Sequence, residues 1–68
     1  MGSVYKVIEV IGTSEYSWED AAKSALNVAS KSLEDLRVAE VKELDLRLDE
    51  SGNPVFRAKL DVSFKYRD

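Results

Sequence analysis

Residues 17–35, SWEDAAKSALNVASKSLED, form the only segment of the 68-residue chain with helical periodicity, and they decide its fold. Ser17 is a favourable N-cap, and Asp20 stands three positions later as in a short-armed capping box. The apolar residues recur every three or four positions and form one stripe about 160° wide. These are Trp18, Ala21, Ala22, Ala25, Leu26, Val28, Ala29 and Leu33. The pattern predicts an amphipathic helix whose alanines allow close approach to a covering layer.

The chain is short enough that a single domain, residues 1–68, is expected. A domain of this size buries only about 60% of the surface that its unfolded chain exposes. With no cysteine, neither disulfides nor a thiolate metal site can reinforce the core. Association with further copies is the remaining source of stability.

Charge and hydropathy exclude several classes of partner. The net charge is −3 and the acidic and basic residues are interspersed, whereas a nucleic-acid footprint needs a basic face. No apolar run approaches the ~20 residues that cross a bilayer, and no basic-then-apolar leader stands at the N-terminus. We therefore expect a cytoplasmic protein with no membrane or nucleic-acid partner.

Val4–Ile11 is rich in β-branched residues and is predicted to be the first strand. Apolar residues occur on both of its faces, so both faces are expected to be covered, one by the helix and one by a partner subunit. Residues 12–14, Gly-Thr-Ser, are predicted to turn the chain towards the helix.

A second strand is predicted over Val38–Asp49, and its apolar side changes near Lys42. Such a strand is usually bulged or sharply twisted, so that it can serve two packing surfaces. Residues 49–54 then form a hairpin loop in which Gly52 takes the positive φ angle.

The third strand, Val55–Tyr66, alternates cleanly between apolar and polar residues, and its apolar face is the natural seat of the helix. The element order β-α-β-β predicts an α+β fold in which a three-stranded antiparallel sheet wraps one helix. The third strand would be about 40 Å long and the helix about 27 Å. Because one helix cannot cover three such strands, a closed symmetric oligomer is expected.

At this point the chain resembles the dodecin family along nearly its whole length. The resemblance lies in the opening VYKVIEVIGTS, the DAA after Trp18, the AEVKE of the second strand and the closing LDVSFKY. It implies a β-α-β-β subunit and twelve copies assembled into a hollow shell, a homododecamer.

The best-known dodecins bind paired flavins between tryptophans, with a glutamine as a hydrogen-bonding partner. The resemblance places these cofactor-binding positions at Val38 and Arg57, and neither residue type is preserved. Valine offers no stacking plane, and arginine donates hydrogen bonds but cannot accept them. Trp18 is instead expected to anchor the core or a subunit contact. The Val38 and Arg57 combination, with SWE after the GTS segment, resembles a flavin-independent branch, the calcium dodecins.

Calcium prefers six to eight oxygen ligands. Glu43 and Asp45 project from one face of the second strand, about 7 Å apart, and are the candidate metal ligands. The alternative is a solvated face on which they pair with Arg47 or Arg57.

Three further groups of residues have weaker claims to a ligand. Asp49, Ser51 and Asn53 match the first three positions of an EF-hand loop, but Pro54 interrupts it and a plain turn is favoured. Glu34 and Asp35 stand unfavourably at the predicted helix end and are secondary candidates for ion contact. Arg57 with Lys65 and Arg47 would bind an anionic ligand, such as a nucleotide cofactor, in an intersubunit cleft, unless Arg57 pairs across strands with Asp45 or Glu43.

No constellation for catalysis is visible, because the chain has no histidine and Ser17 serves as a cap. An enzyme is therefore not expected. Together with the resemblance, the sequence predicts a non-catalytic shell protein that binds or stores a small ligand or ion. Calcium is the first candidate ligand, and a flavin such as FMN or riboflavin is the second. A purely structural or interaction module without ligand is the third possibility.

Overall fold

The computed structural model describes residues 2–65, which form three strands and one helix. The elements are β1 (Tyr5–Ser14), α1 (Trp18–Ser32), β2 (Leu36–Leu48) and β3 (Pro54–Lys65). The predicted β-α-β-β order and α+β class are confirmed. Tyr66, the predicted last residue of the third strand, lies outside the described residues.

The sheet has the order β1-β3-β2, and β3 pairs antiparallel with both neighbours. Helix α1 packs on the side of the sheet where alternate residues of β3 are buried, which we call the helix face; the opposite side is the outer face. Leu60 and Val62 of β3 are 1% exposed on the helix face. Burial of each contributes about 1.5–3 kcal/mol. The predicted seat of the helix is thus confirmed.

Helix α1 has the predicted start but ends earlier than predicted. Ser17 is the N-cap, and its side chain accepts a hydrogen bond from the amide of Asp20 at 2.9 Å. The helix ends at Ser32 because Leu33 is extended and Asp35 has a φ of 56°. The prediction that Glu34 and Asp35 lie at the helix end is therefore wrong; both follow it, and Arg37 lies 4.0 Å from Asp35. Within the described chain, α1 is too short and too polar to cross a membrane.

Strand β1 runs three residues further than predicted. Residues 12–14 pair with residues 56–58 of β3, so they are strand and not turn. The reason is packing: Ala21 and Ala25 of α1 lie directly over Gly12, where a Cβ atom would stand 2.0 Å from the carbonyl oxygen of Ala21. Gly12 is used for close approach of the helix rather than for a turn.

The chain turns after Ser14, which is almost fully buried. Its hydroxyl donates to Asp20 Oδ2 at 2.7 Å and accepts from the amide of Tyr16 at 2.9 Å. One serine thus joins the end of β1 to the first turn of α1.

Strand β2 is bulged between Val41 and Glu43, as the change of apolar side predicted. The effect of this bulge differs from the predicted one, in which the strand served two packing surfaces. Val41 pairs with Leu60 and Leu44 pairs with Ala58, both buried residues of the helix face. The extra residue, Lys42, therefore keeps the apolar residues before and after it on one surface and does not divide them between two.

That apolar surface of β2 is uncovered in the single chain. Helix α1 packs against β1 and β3. Four large apolar side chains on this surface are each about half or more exposed. We call this group the β2 apolar stripe: Val41, Leu44, Leu46 and Leu48. One helix is too small for the sheet, as the sequence predicted.

Candidate functional site

Four charged residues meet on the outer face, where β2 and β3 are paired. The register sets Asp45 opposite Arg57 and Glu43 opposite Lys59. We call these four residues the charged quartet. The hairpin fixes their alignment, because Leu48 pairs with Pro54 and the count runs back regularly to Glu43.

The Asp45–Arg57 pair has bidentate geometry. Arg57 Nε donates to Asp45 Oδ1 at 2.7 Å, and Arg57 Nη2 donates to Asp45 Oδ2 at 2.8 Å. These hydrogen bonds lower the pKa of Asp45, and the positive charges of Arg57 and Lys59 act in the same direction. The same bonds raise the pKa of Arg57 above its ordinary value. The sequence analysis gave two alternatives for Arg57, an anion site and a cross-strand pair, and this contact is the cross-strand pair.

The Glu43–Lys59 pair is looser. Lys59 Nζ lies 3.4 Å from Glu43 Oε1, and the glutamate side chain is 65% exposed. A cleft of about 10 Å³, roughly the room of one water molecule, lies between the quartet and Ile11. The structure thus brings Glu43, Asp45 and Arg57 together and adds Lys59, and the formal charges of the four cancel.

The predicted anion-binding group does not assemble within one chain. Arg47 pairs with Val55 near the hairpin, whereas Lys65 pairs with Tyr5 at the other end of β3. Eight residues of strand separate Lys65 from Arg57, which is about 26 Å. The three residues therefore do not meet within one chain, and a site that they share between subunits stays a prediction.

The two positions that the resemblance assigns to a flavin site, Val38 and Arg57, are also apart. Val38 pairs with Ser63, whose hydroxyl donates to the Val38 carbonyl at 3.3 Å. Ser63 stands six residues from Arg57 along β3, about 20 Å. Val38 lines an apolar groove of about 230 Å³ between β2 and α1. Within one subunit, Val38 and Arg57 cannot touch the same ring.

The hairpin loop is a plain turn closed by Asp49. Its Oδ1 accepts hydrogen bonds from the amides of Ser51 and Asn53, both at 2.9 Å, and Gly52 has a φ of 82°. The Asp49 carboxylate is therefore engaged in stabilising the turn, as favoured over an EF-hand-like site.

A row of acidic residues on the outer face escaped the sequence analysis. The register aligns Glu9 and Glu40 on either side of Asp61, and Lys42 Nζ lies 3.9 Å from Asp61 Oδ2. Like charges in adjacent strands repel, and Lys42 offsets part of that repulsion. Only the register across the bulge reveals the row. Within residues 2–65 no three acidic side chains converge closely enough to hold an ion.

Trp18 also has a contact that its position in sequence did not indicate. Its indole Nε1 donates to the Asp45 carbonyl oxygen at 2.9 Å, and its ring meets Phe56 edge-on at 5.2 Å. Trp18 thus links the start of α1 to the strand that carries the quartet. Its side chain is 37% exposed and so is not in the core, and a subunit contact there stays a prediction.

Comparison with known proteins gives a consistent family. The model described as Dodecin matches residues 4–67. The calcium dodecin of Mycobacterium tuberculosis is 54% identical over 65 residues, which are 96% of this chain and 92% of that protein. The dodecin of Thermus thermophilus is 40% identical over 68 residues, which are 100% of this chain and 99% of that protein.

Solved structures agree. The crystal structure of the M. tuberculosis calcium dodecin, described as a calcium-chelating immunodominant antigen with a novel calcium-binding site, matches with a TM-score of 0.87 at 54% identity. The match covers 96% of this chain and 93% of that one. A T. thermophilus protein structure matches with a TM-score of 0.88 at 39% identity, covering 98% of both chains.

Proposed function

Because this chain belongs to the dodecin family, we propose that it is a non-catalytic shell protein of twelve copies that binds or stores calcium. The observation that supports calcium over other ligands is the 54% identity with calcium dodecin over nearly the whole chain. We expect the shell to work in the cytoplasm, which fractionation of cells expressing the chain would test.

The donor set of one chain is too small for the ion. Calcium takes six to eight oxygens, whereas Glu43 and Asp45 offer four at most, and Lys59 and Arg57 already contact them. The neutral quartet exerts little net attraction on a divalent cation. We therefore propose that the ion draws its remaining oxygens from water and from neighbouring copies.

The carboxylates of Glu43 and Asp45 differ in how accessible they are for coordinating an ion. Glu43 is the more exposed and has the longer contact, at 3.4 Å, whereas Asp45 is held by two short hydrogen bonds. Lys59 and Arg57 compete with any cation for these oxygens. We propose Glu43 as the more accessible ligand and Asp45 as the second.

Calorimetric titration of the assembled protein with calcium tests this assignment. Glu43→Gln and Asp45→Asn are each expected to weaken binding roughly tenfold, because affinity follows the number of charged ligands. Lys59→Gln is expected to strengthen it by removing a competitor. Glu19→Gln is the matched control, since that exposed helix carboxylate pairs with Lys23 at 3.3 Å.

Two results would contradict the assignment. Parental affinity in both Glu43→Gln and Asp45→Asn would make these carboxylates bystanders. A loss of affinity in Asp61→Asn alone would move the ion along the outer face to the acidic row.

Flavin binding is the second candidate, favoured by the apolar groove beside Val38. The groove volume of about 230 Å³ is below the range of about 300–1,000 Å³ usual for ligand pockets, and valine cannot stack on a ring. Titrating riboflavin or FMN with the protein is expected to leave flavin fluorescence unchanged. Tight quenching would favour flavin, and no response to either ligand would favour a purely structural or interaction module.

A further inference from the structure

The side chain of Trp18 connects two elements that otherwise barely meet. It starts α1 on the helix face, yet its indole N–H reaches the main chain of β2 at Asp45, 2.9 Å away. The same ring meets Phe56 of β3 at 5.2 Å with an interplanar angle of 84°. Trp18 therefore touches both strands of the β2–β3 pair.

These two contacts lie directly behind the charged quartet. Asp45 is opposite Arg57 in the register, and Phe56 immediately precedes Arg57. On adjacent strand residues, the side chains of Phe56 and Arg57 point to opposite faces. The indole thus holds the backbone from the helix face at the row where Asp45 and Arg57 meet on the outer face.

Strand β2 needs such a restraint at this row. It is an edge strand, almost all of its residues are exposed, and the bulge at Lys42 lies three residues before Asp45. A bulge interrupts the ladder of hydrogen bonds and loosens the definition of register nearby. Bidentate pairing at 2.7 and 2.8 Å tolerates little displacement of either strand.

We propose that Trp18 is a positioning residue for the outer-face site: its indole hydrogen bond fixes the Asp45 backbone and so sets the Asp45 carboxylate against Arg57. As far as calcium is concerned, the inference rests on the function proposed above. Its structural part concerns the Asp45–Arg57 pair alone and can be tested without any ion.

The test is the solvent-exchange rate of the Arg57 Nε proton, measured by nitrogen-15 NMR in the assembled protein, because that N–H donates to Asp45 Oδ1 at 2.7 Å. Trp18→Phe keeps a ring against Phe56 and removes the N–H donor. We expect the Arg57 Nε proton of this variant to exchange several-fold faster as the Asp45–Arg57 pair loosens. Tyr16→Phe, an aromatic change at a side chain 81% exposed, is the control and should leave the exchange rate unchanged.

A second readout needs no variant. In the parent protein, the indole Nε1 proton should itself exchange slowly with solvent, because it donates to the Asp45 carbonyl oxygen at 2.9 Å. An unchanged Arg57 Nε exchange rate in Trp18→Phe, or an indole proton that exchanges as fast as a free one, would overturn the proposal.

Calcium binding separates this inference from the function on which it draws. If calcium binds through Asp45, Trp18→Phe should strengthen it several-fold, as expected for Lys59→Gln, because a loosened pair frees the carboxylate from Arg57; Tyr16→Phe should not. If the parent binds no calcium while the Arg57 Nε proton still exchanges faster in Trp18→Phe, the positioning role stands and the calcium function fails. Faster exchange with parental calcium affinity would remove Asp45 from the proposed calcium ligands.

Discussion

On the outer face, the ionisation of the Asp45 carboxyl group is coupled to folding. Two hydrogen bonds from Arg57 lower its pKa in the folded chain. A group with a lowered folded pKa stabilises the fold at any pH above its unfolded pKa, and that contribution is lost as the pH falls through the folded value. The acid side of the stability curve should therefore report on this pair.

We predict that the stability difference between the parent and Asp45→Asn is largest near neutral pH. This difference should become smaller as the pH falls below the ordinary aspartate pKa, because the Asp45 carboxylate of the parent is then protonated and loses its ion pair with Arg57. Urea unfolding midpoints at several pH values measure this. For the control Glu19→Gln, the difference in stability from the parent should not decrease comparably. A difference between the parent and Asp45→Asn that stays constant with pH would contradict the prediction.

Only some of the residue contacts of the outer-face site could be predicted from the sequence. The match of Asp45 with Arg57 follows from counting back from the hairpin at Gly52, and it was one of two alternatives. The Trp18–Asp45 hydrogen bond could not be foreseen, because it joins residues 27 positions apart through a tertiary contact. The acidic row was hidden for a similar reason, since it depends on the register beyond the bulge.

Among the elements, the approach of α1 to β1 is the tightest contact. It depends on Gly12, where any Cβ would lie 2.0 Å from the Ala21 carbonyl oxygen and 2.8 Å from the Ala25 Cβ. The backbone oxygen cannot move aside without displacing the helix. Four alanines in the sequence predicted a close approach, but not the strand position that receives the helix.

Gly12→Ala is therefore expected to destabilise the protein by about 3 kcal/mol or more, at or above the upper end of overpacking effects. Gly2→Ala is the matched control, because nothing lies within 4 Å of its added Cβ. Denaturant unfolding of both variants measures the difference. Equal midpoints would show that the helix does not sit this close to β1.

The elements themselves were predictable from pattern, and their ends were not. Gly12-Thr13-Ser14 has the composition of a turn, yet the close helix requires a strand there. Leu33 continues the helical stripe, yet it is extended, and Asp35 two residues later is left-handed. At Gly12 tertiary packing outweighs local propensity.

For the molecule as a whole, the β2 apolar stripe is the surface that a single chain leaves uncovered. The chain is 53 Å in its longest dimension, whereas its one described helix has 15 residues and is about 23 Å long. Exposed apolar surface on an edge strand favours association, and a closed symmetric assembly can bury it.

We predict that Leu44→Lys and Leu46→Lys each reduce the assembly to smaller species, since a charge in a buried contact is costly. Light scattering measures the mass. Ser51→Lys, which adds the same charge in the exposed hairpin loop, should keep the parental mass. Full-sized assemblies of both leucine variants would mean that other copies do not cover the stripe.

The requirement for association with further copies of the chain is tested most directly by native mass spectrometry of dilute, untagged protein. We predict a particle of about 91 kDa, twelve times the 7.6 kDa chain, with no folded monomer beside it. A well-ordered, stable single chain of 7.6 kDa would contradict the account, because the β2 apolar stripe would then be exposed without consequence.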